Sequence, residues 1–203
     1  MQSARRRKLV AAGALAAIGV ALLAAIAIAV RPDSGAAAAG GGVACAGAGQ
    51  PAADTTAKQL RKSVRCLINH ERAAHGLGDV VRSASLKQVA QDHSKVMAKT
   101  DCLAHKCPGE NKLETRLRDA GYFEGAEMWR FAENTGCGVS AKAMVANWMA
   151  TKFHRVNIVE PQFDELGVGA VQKRVKGRCD EHYATFAVVL GWRDASPSGD
   201  RGG

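Results

Sequence analysis

This 203-residue chain lacks most of the signatures that announce an enzyme. It has no Gly-x-Ser-x-Gly elbow, no phosphate-binding glycine loop and no dinucleotide fingerprint, so serine-hydrolase and nucleotide chemistry have no support, and neither a nucleotide nor an organic cofactor is expected. No internal repeat is present. His70, Glu71 and His75 resemble a metalloprotease helix, but the two histidines stand five residues apart where that motif needs four. Five residues turn a helix by about 500°, which leaves the rings roughly 140° apart around the axis. No basic run is interleaved with aromatics either, so nucleic acid is not an expected partner. The net charge of +9 does not alter this, because Arg5, Arg6, Arg7, Lys8 and Arg31 flank one apolar segment. Removing those five from the 28 basic residues leaves 23 against 19 acidic ones, an ordinary surplus of four. The late cluster Lys173, Arg174, Lys176 and Arg178 reads as a solvated hairpin tip.

What is present first is an export signal. Leu9 to Val30 spans 22 residues without a charge, preceded by three Arg and a Lys, so the basic end stays inside and everything after Arg31 lies outside. Residues 1–31 thus read as a signal peptide or signal anchor of the general secretory type, and they contact the membrane before or without cleavage. The segment's length suits a span, while Ala27 with Ala29, or Ala37 with Ala39, offers small-residue cleavage patterns; both outcomes stay open. Cys45 lacks the branched residue three positions earlier that a lipid-attachment site carries, and it is not read as one.

Residues 32–53 are Gly, Ala and Pro with almost no large side chains and read as a linker. One domain is expected over 54–193, with a disordered tail over 194–203. Leu60, Val64, Leu67, Ile68 and Ala74 fall at helical spacing, with Asp54 or Thr55 as cap and Gly76 near the end. A second helix is expected from about Ser85 to Lys99, and a third from Asn111 to Gly121. A fourth begins at Ser140 and presents Met144, Val145, Trp148 and Met149 to the core. Leu166 to Val171 and Tyr183 to Trp192 match strands, joined by a charged hairpin. Helices first and strands last predict an α+β fold, with helices packed on a small, mostly antiparallel sheet.

All six Cys lie beyond the apolar segment, so three disulfides are expected from fifteen possible pairings. The favoured set is Cys45 with Cys66, Cys102 with Cys107 and Cys137 with Cys179. A thiolate zinc site using Cys102, His105, Cys107, Cys179 and His182 is the disfavoured alternative, because export favours oxidation. His93 sits among the apolar positions of the second helix and reads as a hydrogen-bonded, half-buried residue. Three polar residues are candidates for chemistry: His105 inside the presumed Cys102–Cys107 loop, Glu133, and His154 just past the fourth helix. Each is expected in a turn or loop.

The ordered runs Cys66-Leu-Ile-Asn-His-Glu-Arg, Ala104-His105, Ala132-Glu133-Asn134-Thr135, Phe153-His154-Arg-Val-Asn-Ile-Val and Phe163-Asp-Glu-Leu-Gly-Val-Gly resemble the bacterial SCP-like branch of the CAP superfamily. That superfamily comprises cysteine-rich secretory proteins, antigen 5 and pathogenesis-related 1 proteins. The similarity runs from about Ala57 to Trp192. It implies an α-β-α sandwich with an open cleft, in which two His and two Glu form a tetrad that binds zinc or other divalent ions in some members. On the matching motifs His105, Glu133 and His154 correspond to three of the four. The second Glu, three residues after a helix Trp in eukaryotic members, is Thr151 here; the bacterial branch often has one where Glu165 stands. Ala104, Ala132, Thr135 and Phe153 replace the more usual Ser, Gly, Ile and Gly.

Two His with one carboxylate suit zinc and a bound water. The family, however, is known more for binding lipids, sterols and partner proteins than for one reaction. The expectation is therefore an extracellular or surface-exposed binding module for a lipid, small ligand or partner protein. The alternatives are a metal-dependent hydrolase acting on extracellular peptide or envelope substrates, and a structural envelope protein. His154 beside a helix C-terminus is expected to favour its charged form. The charge asymmetry around Leu9 to Val30 yields a first prediction: a reporter enzyme active only in the cytoplasm, fused after Trp192, stays silent. Strong reporter activity would reverse the topology.

Overall fold

The computed structural model describes residues 45–180 and 182–194. The leader expected over 1–31 and the tail beyond Asp194 fall outside the described residues. Among those described, no helix is long and apolar enough to cross a membrane.

Among the described residues a short 3-10 turn at Ala52–Asp54 precedes five α-helices and four strands, α1 (Ala57–Ala74), β1 (Val81–Arg82), α2 (Ala84–Thr100), α3 (Leu113–Asp119), β2 (Trp129–Gly138), α4 (Ala141–Ala150), α5 (Lys152–Ile158), β3 (Glu165–Val171) and β4 (Ala184–Arg193). The strands form one sheet in the order β1-β3-β4-β2, with β1 parallel to β3 and the other two pairings antiparallel. The expected α+β class and its mostly antiparallel sheet are thus observed. Helices cover both faces, which is why β4 is buried almost continuously instead of alternating with polar residues. On one face Leu60, Val64 and Ile68 of α1 and Met144, Val145 and Trp148 of α4 pack on Phe186, Val188 and Leu190. On the other, Leu86, Val89, Ala90 and Met97 of α2 with Leu117 of α3 pack on Ala187 and Val189.

Local signals set the helix ends. The side chains of Thr56, Ser83 and Ser140 accept from Gln59, Leu86 and Ala143 backbone N–H groups at the starts of α1, α2 and α4. Near the end of α1, buried Arg72 donates to the carbonyls of Gly78, Ile158, Glu160 and Phe163. One side chain thereby ties α1 to the end of α5 and the approach to β3. The three disulfides are Cys45–Cys66, Cys102–Cys107 and Cys137–Cys179.

Several sequence expectations change. Residues 45–53 are not linker: Cys45 is bonded to Cys66, Ala46 O accepts from Gln59 and Ser63, and Ala52 is buried in the core. The domain also continues past 193, because Asp194 Oδ1 accepts from the Glu127 and Met128 N–H groups. Strand β2 runs through the segment expected to hold Glu133 in a turn. A separate helix, α5, follows α4 and carries His154.

The Gly-x-Gly at Gly167 and Gly169 sets how closely α2 approaches the sheet. A Cβ at Gly167 would lie 2.0 Å from the Leu86 carbonyl carbon, and one at Gly169 2.1 Å from Ala90 O. Both obstacles are helix backbone, which cannot rotate aside. Gly167→Ala should therefore destabilise the protein by about 3 kcal/mol or more, lowering the melting temperature by roughly 6 to 12 °C. Gly78→Ala, where a Cβ meets nothing within 4 Å, is the control and should change it little. Equal melting temperatures for the two variants would refute the close-approach account.

Candidate functional site

The site gathers around a carboxylate buried where side chains from three elements can reach it. Glu133 lies in the middle of β2, the terminal strand of the sheet, paired with Val189. Its side chain is only 1% exposed. Its Oε1 accepts from Arg116 Nη2 of α3 at 3.2 Å, and its Oε2 accepts from His105 Nδ1 at 3.0 Å. His93 Nε2 of α2 stands 3.7 Å from the same Oε2. A buried carboxylate costs several kcal/mol unless paired, and these neighbours supply the pairing.

His105 is held by its own loop. The Cys102–Cys107 bond closes that loop, Ala104 O accepts from His93 Nε2 at 2.9 Å, and Arg116 Nη2 donates to His105 O at 2.8 Å. Glu110 accepts from the Cys107 N–H and faces His93 Nδ1 at 2.9 Å. His93 is fully buried instead of half-buried; its Nδ1 pairs with Glu110 and its Nε2 donates to the Ala104 carbonyl, with Glu133 Oε2 farther off at 3.7 Å. The His105 side chain, by contrast, is 63% exposed. With Nδ1 committed to Glu133, Nε2 is the ring nitrogen left for a ligand.

The opposite face of β2 fixes His154. Asn134, the next residue along the strand, is buried; its Nδ2 donates to His154 O at 3.0 Å and its Oδ1 accepts from Asn157 Nδ2 at 2.8 Å. Neighbouring residues of one strand thus serve two elements, Glu133 holding the His105 loop and Asn134 holding α5. His154 belongs to the first turn of α5, not to the end of α4, so the helix field acts in the reverse of the expected sense and disfavours its cation. Burial depresses its pKa, and the neighbouring His105 adds to the effect. For His105 the hydrogen bond to Glu133 raises the pKa; partial burial and Arg116 oppose this, and the Glu133 charge reinforces it.

Glu165 has other partners. Its Oε2 accepts from Tyr122 Oη at 2.8 Å and Arg193 Nε at 3.3 Å, and none of its hydrogen bonds or ion pairs reaches His105, Glu133 or His154. The structure therefore joins two of the four expected residues, His105 and Glu133, places His154 within electrostatic reach of His105 without a direct bond to either, and adds Arg116, His93 and Glu110. Thr151, at the position of the second family Glu, separates α4 from α5 and donates to Asn147 O. A cavity of about 530 Å³ along α1, lined in part by Gln59, Ser63, Asn69 and His70, contains none of the cluster.

Glu133 does not fit a direct metal donor as it is placed: its Oε1 accepts from Arg116, a fixed positive charge, and its Oε2 accepts from His105 Nδ1, a bond that leaves His105 Nε2 as the donor on that side. Among the described residues no three His, Cys, Asp or Glu side chains are arranged to hold an ion.

The pKa values of His105 and His154 should depart from the ordinary imidazole value in opposite directions. The raised pKa of His105 adds a small, solvent-screened stabilisation that is fully present below its unfolded value of about 6.5 and is lost as pH rises through the folded value. The depressed pKa of His154 removes stability as pH falls from about 6.5 through its folded value. NMR titration should place His105 above and His154 below the ordinary imidazole value, and Glu133→Gln should bring His105 down. Unchanged His105 titration in that variant would show that the carboxylate does not control it.

No curated protein matches this chain. Among solved structures, an extracellular protein containing an SCP domain from Bacillus anthracis is 22% identical with a TM-score of 0.52, covering 67% of this chain and 43% of its own. This chain therefore spans less than half the length of that protein. An outer surface protein of Borrelia burgdorferi is 17% identical with a TM-score of 0.57, covering 69% of this chain and 97% of its own. At these identities the likeness is one of fold. The model of the cysteine-rich secretory protein family, CAP, matches residues 66–189, more than half of the chain, and the chain belongs to that family.

Proposed function

We propose that the protein is an exported CAP-domain binding module whose cleft, around the free edge of β2, takes an amphipathic small ligand or lipid. The observation that carries this reading is the contrast between two groups of side chains anchored on β2. One is the hydrogen-bonded cluster of Glu133, Arg116, His93 and His105. In the other, Phe153 stands next to His154 and is 81% exposed, with Val156 also exposed one helical turn later. Because Asn134 and Asn157 clamp α5 to β2, this apolar surface is presented from a fixed position. A ligand covering Phe153 gains up to about 1.5–3 kcal/mol from burying it, while its polar end meets the exposed edge of His105.

The surface and extracellular descriptions of the Bacillus and Borrelia proteins, together with three disulfides, support placement outside the cytoplasm. The hydrolytic alternative needs a metal-held water, and the engaged Glu133 gives that metal no third donor. Native mass spectrometry of the exported protein tests the binding reading. The wild type should retain a copurifying ligand, and Phe153→Ser should retain at least tenfold less with an unchanged melting temperature. Full retention in both Phe153→Ser and His105→Gln would move the ligand away from this cleft.

A further inference from the structure

The cavity along α1 lies apart from the cleft and contains none of the Glu133 cluster. Its volume of about 530 Å³ falls in the range of small-molecule pockets. Lining residues Gln59 and Ala73 stand roughly 21 Å apart along the helix axis at 1.5 Å rise per residue, so the cavity is a groove running along α1. Its walls are fixed. The Cys45–Cys66 bond ties the N-terminal segment to the helix, and Ala46 O accepts from Gln59 Nε2 at 2.6 Å and from Ser63 Oγ at 2.9 Å. Farther along, Asn69 closes onto the segment before β1, its Oδ1 accepting from the Val80 N–H at 3.0 Å. The uncharged polar side chains of the groove are thus spent on holding its walls together. The titratable ones are not: Lys62, Arg65, His70 and Asp79 make no hydrogen bond or ion pair among the described residues. Two fixed cations therefore share the groove with one acid, and Asp79 already lies in the field of the buried Arg72 guanidinium. The first half of α1 adds Lys58 and Arg61 and has no acid before Glu71, although the helix field favours acids at that end.

We propose that this groove binds a small phosphate ester, its phosphate held by Lys62 and Arg65 and its hydroxyl groups donating to Asp79. The charges are divided along the helix in the order such a ligand needs. Lys62 and Arg65 belong to the end of the groove walled by Ala46, whereas Asp79 belongs to the end closed by Asn69 and Val80. Ammonium and guanidinium groups donate charge-assisted hydrogen bonds to phosphate oxygens, about twice as strong as neutral ones. A carboxylate only accepts, so Asp79 suits the hydroxyls of a sugar or polyol and repels a second anionic group at that end. His70, between the two ends in sequence, adds a ring nitrogen. Because the walls are already tied by a disulfide and three hydrogen bonds, little of the binding energy is lost to ordering the chain. The site is independent of the cleft and of what the cleft binds.

Isothermal titration calorimetry of the exported protein, disulfides intact, with glucose 6-phosphate, glucose and inorganic phosphate tests this. Glucose 6-phosphate should bind saturably and about tenfold more tightly than inorganic phosphate, and glucose should give no measurable heat, because the charged contacts supply most of the affinity. Lys62→Gln and Arg65→Gln should each weaken the ester about tenfold. Neither variant should change the melting temperature, since neither side chain has a partner to lose. Asp79→Ala should bring the ester down to the level of inorganic phosphate and leave inorganic phosphate no weaker. His105→Gln, in the cleft, should alter none of these affinities. No saturable binding of the ester, ester binding that survives the combined Lys62→Gln and Arg65→Gln variant, or ester binding lost in His105→Gln would overturn the site. A lipid headgroup carries the same phosphate chemistry, so phosphatidylglycerol vesicles form the last arm. Recruitment to vesicles that glucose 6-phosphate does not compete, or an ester that binds no more tightly than inorganic phosphate, would overturn the assignment to a small phosphate ester.

Discussion

Placing a carboxylate where its side chain is 1% exposed forces the surrounding chain to bring compensation to it, and much of the site follows from that requirement. Glu133 cannot stay charged without partners, and the partners come from α2, α3 and the intervening loop. Removing any one leaves a buried charge short of compensation, which costs more than the lost contact alone. Arg116 serves two acceptors, the Glu133 side chain and the His105 backbone, so α3 and the disulfide loop are fixed to β2 by one guanidinium. His93 does the same from α2, linking Glu110 to the Ala104 carbonyl.

That arrangement requires α2 to lie close to the sheet. Gly167 and Gly169 remove the side chains that would hold the helix away, so the helix backbone rests directly on β3. A helix displaced by one methyl group would carry His93 out of reach of the Ala104 carbonyl and away from Glu133. The Gly-x-Gly of the family motif therefore acts at a distance from the cleft, through the height of a helix that carries one of the cluster's hubs.

How far the sequence discloses this depends on whether side-chain polarity reports burial. The helices α1, α2 and α4 are legible because their apolar positions repeat at helical spacing; the cap of α4 is the expected Ser140, whereas α1 is capped by Thr56 instead of Asp54 or Thr55 and α2 by Ser83. Strands β3 and β4 are legible as runs of apolar and small residues. Strand β2 is not, because Glu133, Asn134, Thr135 and Gly136 occupy positions where an apolar alternation would have marked it. These polar groups are buried with partners that only the fold supplies, such as Arg116 for Glu133 and Trp148 Nε1 for Thr135 O. Helix α5 is hidden for the converse reason: Phe153 and Val156, its conspicuous apolar residues, face solvent while Ile158 is buried. Arg116 carries no signal at all, since an Arg beside Leu117 reads as the exposed face of an amphipathic helix. His105, Glu133 and His154 stand out as polar residues beside rigid neighbours, but only the family likeness groups them; spacing alone does not bring them together.

The rigidity of the His105 loop argues that the exposed ring is a built feature. Ordering a loop costs roughly 1–2 kcal/mol of backbone entropy per residue, and here a disulfide, two backbone carbonyl contacts and the Glu110 carboxylate all act on six residues. Stability alone would be served better by turning the imidazole inward, as α2 does with His93. Instead the loop is pinned on every side and the ring is left at the surface, one nitrogen spent on Glu133 and the other facing solvent. On α5, Phe153 is likewise exposed beside a histidine whose backbone is clamped by Asn134. In the proposed binding module these two side chains of opposite character, each held from behind and each uncovered in front, would reward a ligand that offers both a polar group and an apolar surface. Selectivity would then come from the geometry of two anchors on a prearranged frame, since a ligand that satisfies only one of them forgoes the other's contribution.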